Sequence, residues 1–384
     1  MKTVKLFLAS ALACMLFAAP AFASATDSGT IKIGAVLSAS GPASFLGEPE
    51  KNTMEMLAKQ INANGGLLGK QLELIIYDDE TDVNKCVLAV DKLIKKDKVV
   101  AVLGPTVSGN TLAVANKFSA AQLPLVSCAA AEKIVVPVNP WVFKTPQSDR
   151  HAVSKILDHA AAAGHKKIAI VTVSNGFGQA GRAVLKELLP AQGFEMVADE
   201  VYGPKDTDMT AQLTKIKGLN PDAIVCWGTN PGPAVIARNR VQLGISTPLY
   251  MSHGVASKKF IELAGDAAEG LMLPAGRLIV ADQIPADNAQ RTLLTQYAAD
   301  YQTTYNAPVS TFGGHGFDAL MLVAKAIEMG GSAEPATIRD NLEKIQGFIG
   351  TGGIFNFSAT DHNGLDASAF EMVAIEQGDW KIIQ

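Results

Sequence analysis

Cysteine is scarce in this 384-residue chain, which has four. Cys14 lies in the leading apolar run, and the remaining three, Cys86, Cys128 and Cys226, cannot all pair. Two of them sit in the apolar segments LVSC and AIVCWG, where buried and unreactive thiols are common, so no disulfide framework is expected. Positive charge is not in excess either: 33 Lys and Arg stand against 37 Asp and Glu, a net charge of −4. Without basic clusters, nucleic acid and anionic membrane surfaces are poor partners. Past Ala23 no apolar run reaches the length of a membrane span. The chain also lacks H-E-x-x-H, G-x-S-x-G and any metal-ligand spacing among His151, His159, His165, His253, His315 and His362. Neither a metal, a cofactor nor an enzyme activity is expected. A noncontiguous catalytic triad is the one arrangement such motifs do not address.

The start of the chain is informative. Lys2 and Lys5 precede an apolar run from Leu6 to Ala19, followed by the small-x-small triplet Ala21-Phe22-Ala23. Residues 1–23 read as a cleaved secretory signal peptide, which would deliver the protein to the periplasm. Pro20 and its small neighbours interrupt the run before it could anchor in a bilayer. A lipoprotein attachment at Cys14 is disfavoured, because Ala11 stands where Leu is needed. Loss of Lys2 and Lys5 makes the secreted chain two charges more acidic.

The rest alternates strand-like and helix-like segments. IKIGAVL, QLELIIYDD, VVAVLGP and LPLVSC are separated by helical stretches near Leu46–Asn62, Val83–Lys96 and Thr111–Gln122. After VFKTPQSDR the pattern restarts with KKIAIVTV, FEMVADEVY, DAIVCWG, TPLYMS and GLMLPA. Past Pro274 come helical runs Asn288–Tyr305, Phe312–Met329 and Ala336–Gln346, then GTGGIFNF and FEMVAIEQ. The reading is an α/β protein of two doubly wound parallel-sheet lobes. Lobe 1 takes residues 30–145 and 277–348, and lobe 2 takes 146–276 and 349–384. Three crossings, near Thr145, Pro274 and Gly350, form a hinge between them.

One motif points elsewhere. In IAIVTVSNGFGQAG, Gly176, Gly178 and Gly181 have the G-x-G-x-x-G spacing of a dinucleotide turn, and Asp199 lies near where a ribose-binding acid belongs. Ser174 and Asn175 intervene between strand and first glycine, however, and a secreted protein meets little free NAD. A structural turn is the better reading.

The segment GAVLSASGPASFLGEPEKNTMEMLAKQINANGGLLGKQLELIIYDDETD resembles the start of periplasmic binding proteins for leucine, isoleucine and valine, in its S-G-P, I-N-A-x-G-G and Y-D-D. The resemblance runs on through VLGPTVSGNTLAVA, VSNGFGQAG, NPDAIVCWG and GDAAEGLML. It implies the type I periplasmic binding fold and a monomer that hands a small hydrophobic amino acid or related carboxylate to the permease of an ABC importer. The carboxylate cradle falls at Ser108 and Gly109, whose place at a helix start exposes free N–H groups. Ser108 reads equally as a helix cap. Ala129 and Ala131 are expected to offer main-chain groups, while Phe45, Leu46, Phe177 and Phe312 match positions enclosing the ligand side chain. Thr229, Asn230 and His253 complete the implied set. Each aromatic, taken singly, is more often core than pocket.

Two departures from the family pattern stand out. Ala131 replaces a threonine, and His253, in YMSHGVAS, stands where amino-acid binders place the glutamate that holds the ammonium. A neutral imidazole accepts one hydrogen bond, and a protonated one repels an ammonium. A solvent-facing loop histidine is the plain alternative. The loss of amine-holding groups opens a second ligand class, aromatic or 2-oxo acids without an amine. Cysteines that pair in some members of the family correspond to Thr81 and Val107. A free-standing ligand sensor of the same fold is the competing role. A receptor would need a membrane helix after Gln384.

Overall fold

A computed structural model describes residues 29–383. The signal-peptide reading of residues 1–23 lies outside these.

The first five strands are β1 (Thr30–Leu37), β2 (Gln71–Asp78), β3 (Ala101–Leu103), β4 (Leu125–Ser127) and β5 (Val142–Lys144), interleaved with helices α1 (Ser44–Ala63), α2 (Val83–Lys92) and α3 (Ser108–Ala121). They form a parallel sheet in the order β2-β1-β3-β4-β5. Alternation along β1 explains its two covered faces. Ile31, Ile33, Ala35 and Leu37 enter one core with Met54 and Leu57 of α1, whereas Val36 enters another with Val90 and Phe118.

The second set begins with α4 (Asp149–Ala162), β6 (Lys167–Val173), α5 (Gly176–Ala191), β7 (Glu195–Tyr202), α6 (Thr210–Gly218), β8 (Ala223–Trp227), α7 (Gly232–Gln242), β9 (Leu249–Met251), α8 (Lys258–Ala264) and β10 (Met272–Gly276). Helices α9 (Arg291–Tyr305), α10 (Thr311–Gly330) and α11 (Pro335–Leu342) follow. Then come the short hairpin β11 (Phe348–Ile349) and β12 (Ile354–Phe355), and finally β13 (Phe370–Glu376) and β14 (Asp379–Ile382). The second sheet runs β14-β13-β10-β9-β8-β6-β7, parallel from β7 to β10, with β13 and β14 antiparallel at one edge. Ala169 and Val171 of β6 face one core and Ile168 and Ile170 the other.

The long helices past β10 return to the first sheet: Leu320, Val323 and Ile327 of α10 and Leu294 of α9 share the core of Ile33 and Leu37. Pro274 lies inside β10, opposite Met372, and β10 ends at Gly276. One detail differs from the sequence reading. Residues just past 349 do not simply join the second sheet, because Phe355 and Phe357 pack into the first core, with Phe357 edge-on to Phe143.

The crossings are tied to one another. Gln147 Nε2 donates to the Gly352 carbonyl at 2.6 Å, Gln290 Nε2 to the Gly350 carbonyl at 2.8 Å, and Thr145 Oγ1 to the His315 carbonyl at 3.1 Å. Asp318 of α10, fully buried, accepts hydrogen bonds from the Thr351 N–H and hydroxyl and from the Gly352 N–H.

Candidate functional site

Both parallel sheets share one switch pattern. In the first, the chain leaves β1 toward one side and β3 toward the other; in the second, β6 and β8 diverge in the same way. Ligand crevices form outside the carboxyl ends of strands at such points. Here the two crevices merge. A cavity of about 340 Å³ is lined by the loops after β1 and β3 on one side and after β6, β8 and β9 on the other.

Four helix N-termini meet at it. Ser108 opens α3, Gly176 opens α5, Gly232 opens α7, and Phe312 is the second residue of α10, and all four residues line the cavity. The first and second come very close: a Cβ on Gly176 would lie 2.9 Å from the Gly109 nitrogen. Converging positive dipole ends with unspent N–H groups suit an anion.

Of the residues expected from the sequence, Leu46, Ser108, Gly109, Ala129, Phe177, Thr229, Asn230, His253 and Phe312 line the cavity. Phe45 and Ala131 are not among its lining residues. Phe45 stands behind the wall, edge-on to Phe312 with ring centres 5.8 Å apart. Ala131 is fully buried, and its N–H donates to Ser108 Oγ at 3.3 Å. The Ala129 N–H is likewise taken, by Ser127 Oγ at 3.1 Å. These two loop alanines therefore brace the cradle rather than offer it free donors. A Cβ on Gly109 would meet no protein atom within 4 Å, so the space beside it belongs to the cavity. Thr81 and Val107, at the family's disulfide positions, also line it, and Thr81 Oγ1 accepts the Ala43 N–H.

His253 does not face solvent. It is 6% exposed and stands among three aromatic rings, with centres 5.4 Å from Phe177, 5.6 Å from Trp227 and 5.5 Å from Phe370. Burial, reinforced by the nearby bases His315, Lys144 and His151, pushes its pKa down to about 3, so the ring is neutral. His315, one turn along α10 from Phe312, is also held neutral by burial, at about 3. Lys144 lies beneath the cavity with its ammonium on the carbonyls of Ala130 and Pro146, at 3.1 and 2.8 Å, and burial lowers its pKa.

Sequence reasoning missed His315 and Glu50. The spacing Phe312 to His315 in TFGGHGFD carried a usable signal, as did Glu50 four residues after Leu46 on the same helix face. Glu50 is 1% exposed and accepts the Thr106 hydroxyl at 2.5 Å. Burial raises its carboxyl well above the usual range, against the lowering effect of that hydrogen bond. Among the described residues it is the sole acid lining the cavity.

The dinucleotide-like glycines are explained by packing. A Cβ on Gly178 would lie 1.7 Å from the Val173 carbonyl oxygen, and one on Gly181 would lie 2.1 Å from Trp227 Nε1. Asn175 caps α5 by accepting the Gly178 N–H at 2.9 Å. Asp199 is engaged by Arg182, at 2.6 and 2.7 Å, and by Lys186.

Two doubly wound lobes enclosing a cavity at the carboxyl ends of both sheets define a two-lobed solute receptor. The chain belongs to the periplasmic binding protein family, whose sequence profile matches residues 30–378. That family consists of solute-binding proteins, not enzymes. A Leu/Ile/Val-binding protein of Rhizobium johnstonii is 25% identical over 339 residues, covering 87% of each chain. A leucine-, isoleucine-, valine-, threonine- and alanine-binding protein of Pseudomonas aeruginosa is 25% identical, with 82% of each covered. Among solved structures, an extracellular ligand-binding receptor from Rhodopseudomonas palustris superposes with a TM-score of 0.86 at 28% identity, covering 92% of this chain and 99% of that one. The branched-chain amino acid transporter substrate binding protein of Streptococcus pneumoniae, in complex with isoleucine, gives 0.82 at 27% identity over 92% and 98%.

Proposed function

We propose that this chain is an extracytoplasmic binding protein that captures a small hydrophobic carboxylate between its lobes and passes it to the permease of an ABC importer. The ligand is an amino acid of the leucine, isoleucine or valine type or a related acid, and the secreted chain acts as a monomer after loss of residues 1–23. The observation that carries this reading is the meeting of the α3 and α5 N-termini at a cavity walled by Leu46, Phe177 and Phe312. The dipole ends and N–H groups suit a carboxylate, and the apolar wall suits its side chain. The relatives' names support the amino-acid class.

Capture proceeds by closure. The moving units are residues 30–145 with 277–348, and 146–276 with 349–384, except that Phe355 and Phe357 travel with the first unit, in whose core they sit. A ligand touching both units favours the closed arrangement.

A second reading, that the ligand lacks an amine, is favoured by one observation: burial raises the Glu50 carboxyl, the acid at the cavity, well above its usual range, and His253 is neutral. Burial thus works against the ionised carboxylate that an ammonium would need. Titration calorimetry with leucine, valine, phenylalanine, benzoate and 4-methyl-2-oxopentanoate tests both readings. Failure of all five to bind would remove the proposal. Leucine binding more than about 100-fold tighter than 4-methyl-2-oxopentanoate, about 2.7 kcal/mol, would remove the second reading.

A further inference from the structure

The cavity holds polar groups that the carboxylate cradle does not use. Both ring nitrogens of His253, Nδ1 of His315, and both the oxygen and the nitrogen of the Asn230 side-chain amide are buried without a hydrogen-bond partner. Each of these residues is at least nine-tenths buried, and each lines the cavity. They come from three elements: Asn230 from the loop before α7, His253 from the loop after β9, and His315 from α10. Native interiors leave few polar atoms unsatisfied, and a group of them on one cavity marks a place where a bound molecule completes the bonding.

We infer that Asn230, His253 and His315 form a second, uncharged subsite that hydrogen-bonds a hydroxyl or ketone oxygen of the ligand. The inference rests on the carboxylate reading above and narrows it to hydrophobic acids bearing an uncharged oxygen function. Neutral imidazoles and an amide both donate and accept, which matches such an oxygen from either side. A cation has no counter-charge here, since the groups acting electrostatically on His253 are His315, Lys144 and His151, all bases. A second anion gains little, because the Lys144 ammonium is already engaged by two carbonyls. The Asp149 carboxylate beside this lysine has one oxygen on the Glu132 N–H, at 3.1 Å, and does not line the cavity.

Calorimetry on the secreted chain with two matched pairs tests this. The pairs are 4-methylpentanoate against 4-methyl-2-oxopentanoate, and benzoate against 4-hydroxybenzoate. A neutral hydrogen bond gained in a buried site predicts roughly 3- to 10-fold tighter binding of the oxygen-bearing member in at least one pair. The responding pair tells whether the oxygen sits beside the carboxylate or at the far end. The ratio within that pair should fall to about one in His253→Phe or Asn230→Leu, which keep bulk but lose the polar atoms. His315→Phe supplies a third variant if either fails to fold. Equal affinity within both pairs, or a ratio that survives in every folded variant, would overturn the subsite while leaving the carboxylate reading standing. If no acid binds, both fall together.

Discussion

Gly109, the second residue of α3, and Gly176, the first of α5, face each other at the cavity, and a Cβ added to Gly176 would stand 2.9 Å from the backbone nitrogen of Gly109 and 3.0 Å from its Cα. Contacts that short are repulsive and backbone atoms do not yield cheaply, so glycine at 176 is what lets the two lobes meet. Alanine is well tolerated in a helical first turn. Gly176→Ala should therefore leave the free protein's melting temperature nearly unchanged while weakening ligand binding about tenfold or more, equivalent to about 1.4 kcal/mol. Small-angle scattering should show the normal chain contracting with saturating ligand and the variant contracting less. Equal affinity and equal contraction would show that closure does not need this contact.

The Ser108 hydroxyl accepts the Ala131 N–H and lines the cavity, so its proton is free to be donated to a carboxylate. Ser108→Ala removes that donor but keeps the helix N–H groups. Binding should weaken by roughly 1.5–3 kcal/mol with little change in circular dichroism. Calorimetry showing unchanged affinity would move the carboxylate elsewhere.

His253 and His315 are held neutral in the folded chain, at about 3 against an ordinary value of 6.5. Between those pH values the unfolded chain takes up protons that the folded one refuses, so stability falls as pH falls below 6.5. Each histidine should remove about 1 kcal/mol on going from pH 6.5 to 5.5. Urea unfolding at the two pH values measures this, and His253→Phe should show a smaller loss. An identical loss in the variant would show that His253 is not among the groups responsible.

Gly181 faces Trp227, and a Cβ there would overlap the indole at 2.1 Å. Gly181→Ala should destabilise the fold by roughly 1–3 kcal/mol, seen as a lower melting temperature. NAD added to the unaltered protein should release no binding heat. Saturable NAD binding would reinstate the dinucleotide reading of the three glycines.

The strands of both sheets were legible because burial on two faces leaves β-branched runs such as IAIVTV between turn residues. Ser108 was singled out through the family resemblance, since a serine at a helix start reads equally as a cap; the structure puts it at the start of α3, lining the cavity. Phe45 and Ala131 show where that legibility ends. Their positions along the chain suited the cavity, but whether a side chain lines it or braces the wall depends on a neighbour such as Phe312 or Ser108. His315 and Glu50 were hidden for a related reason: they lie in helices whose apolar pattern is dominated by core contacts. Their approach to His253 or Thr106 is created only by tertiary packing. Pro274 is paired inside β10, because the antiparallel partner β13 continues the pairing through it.

The central claim, capture of a carboxylate by the meeting helix ends, is tested most directly by titrating one hydrophobic acid that binds against its own primary amide. The amide keeps shape and apolar surface but carries no charge. The account predicts that the amide binds at least about 100-fold more weakly, a difference of about 2.7 kcal/mol. Equal affinity of acid and amide would contradict it.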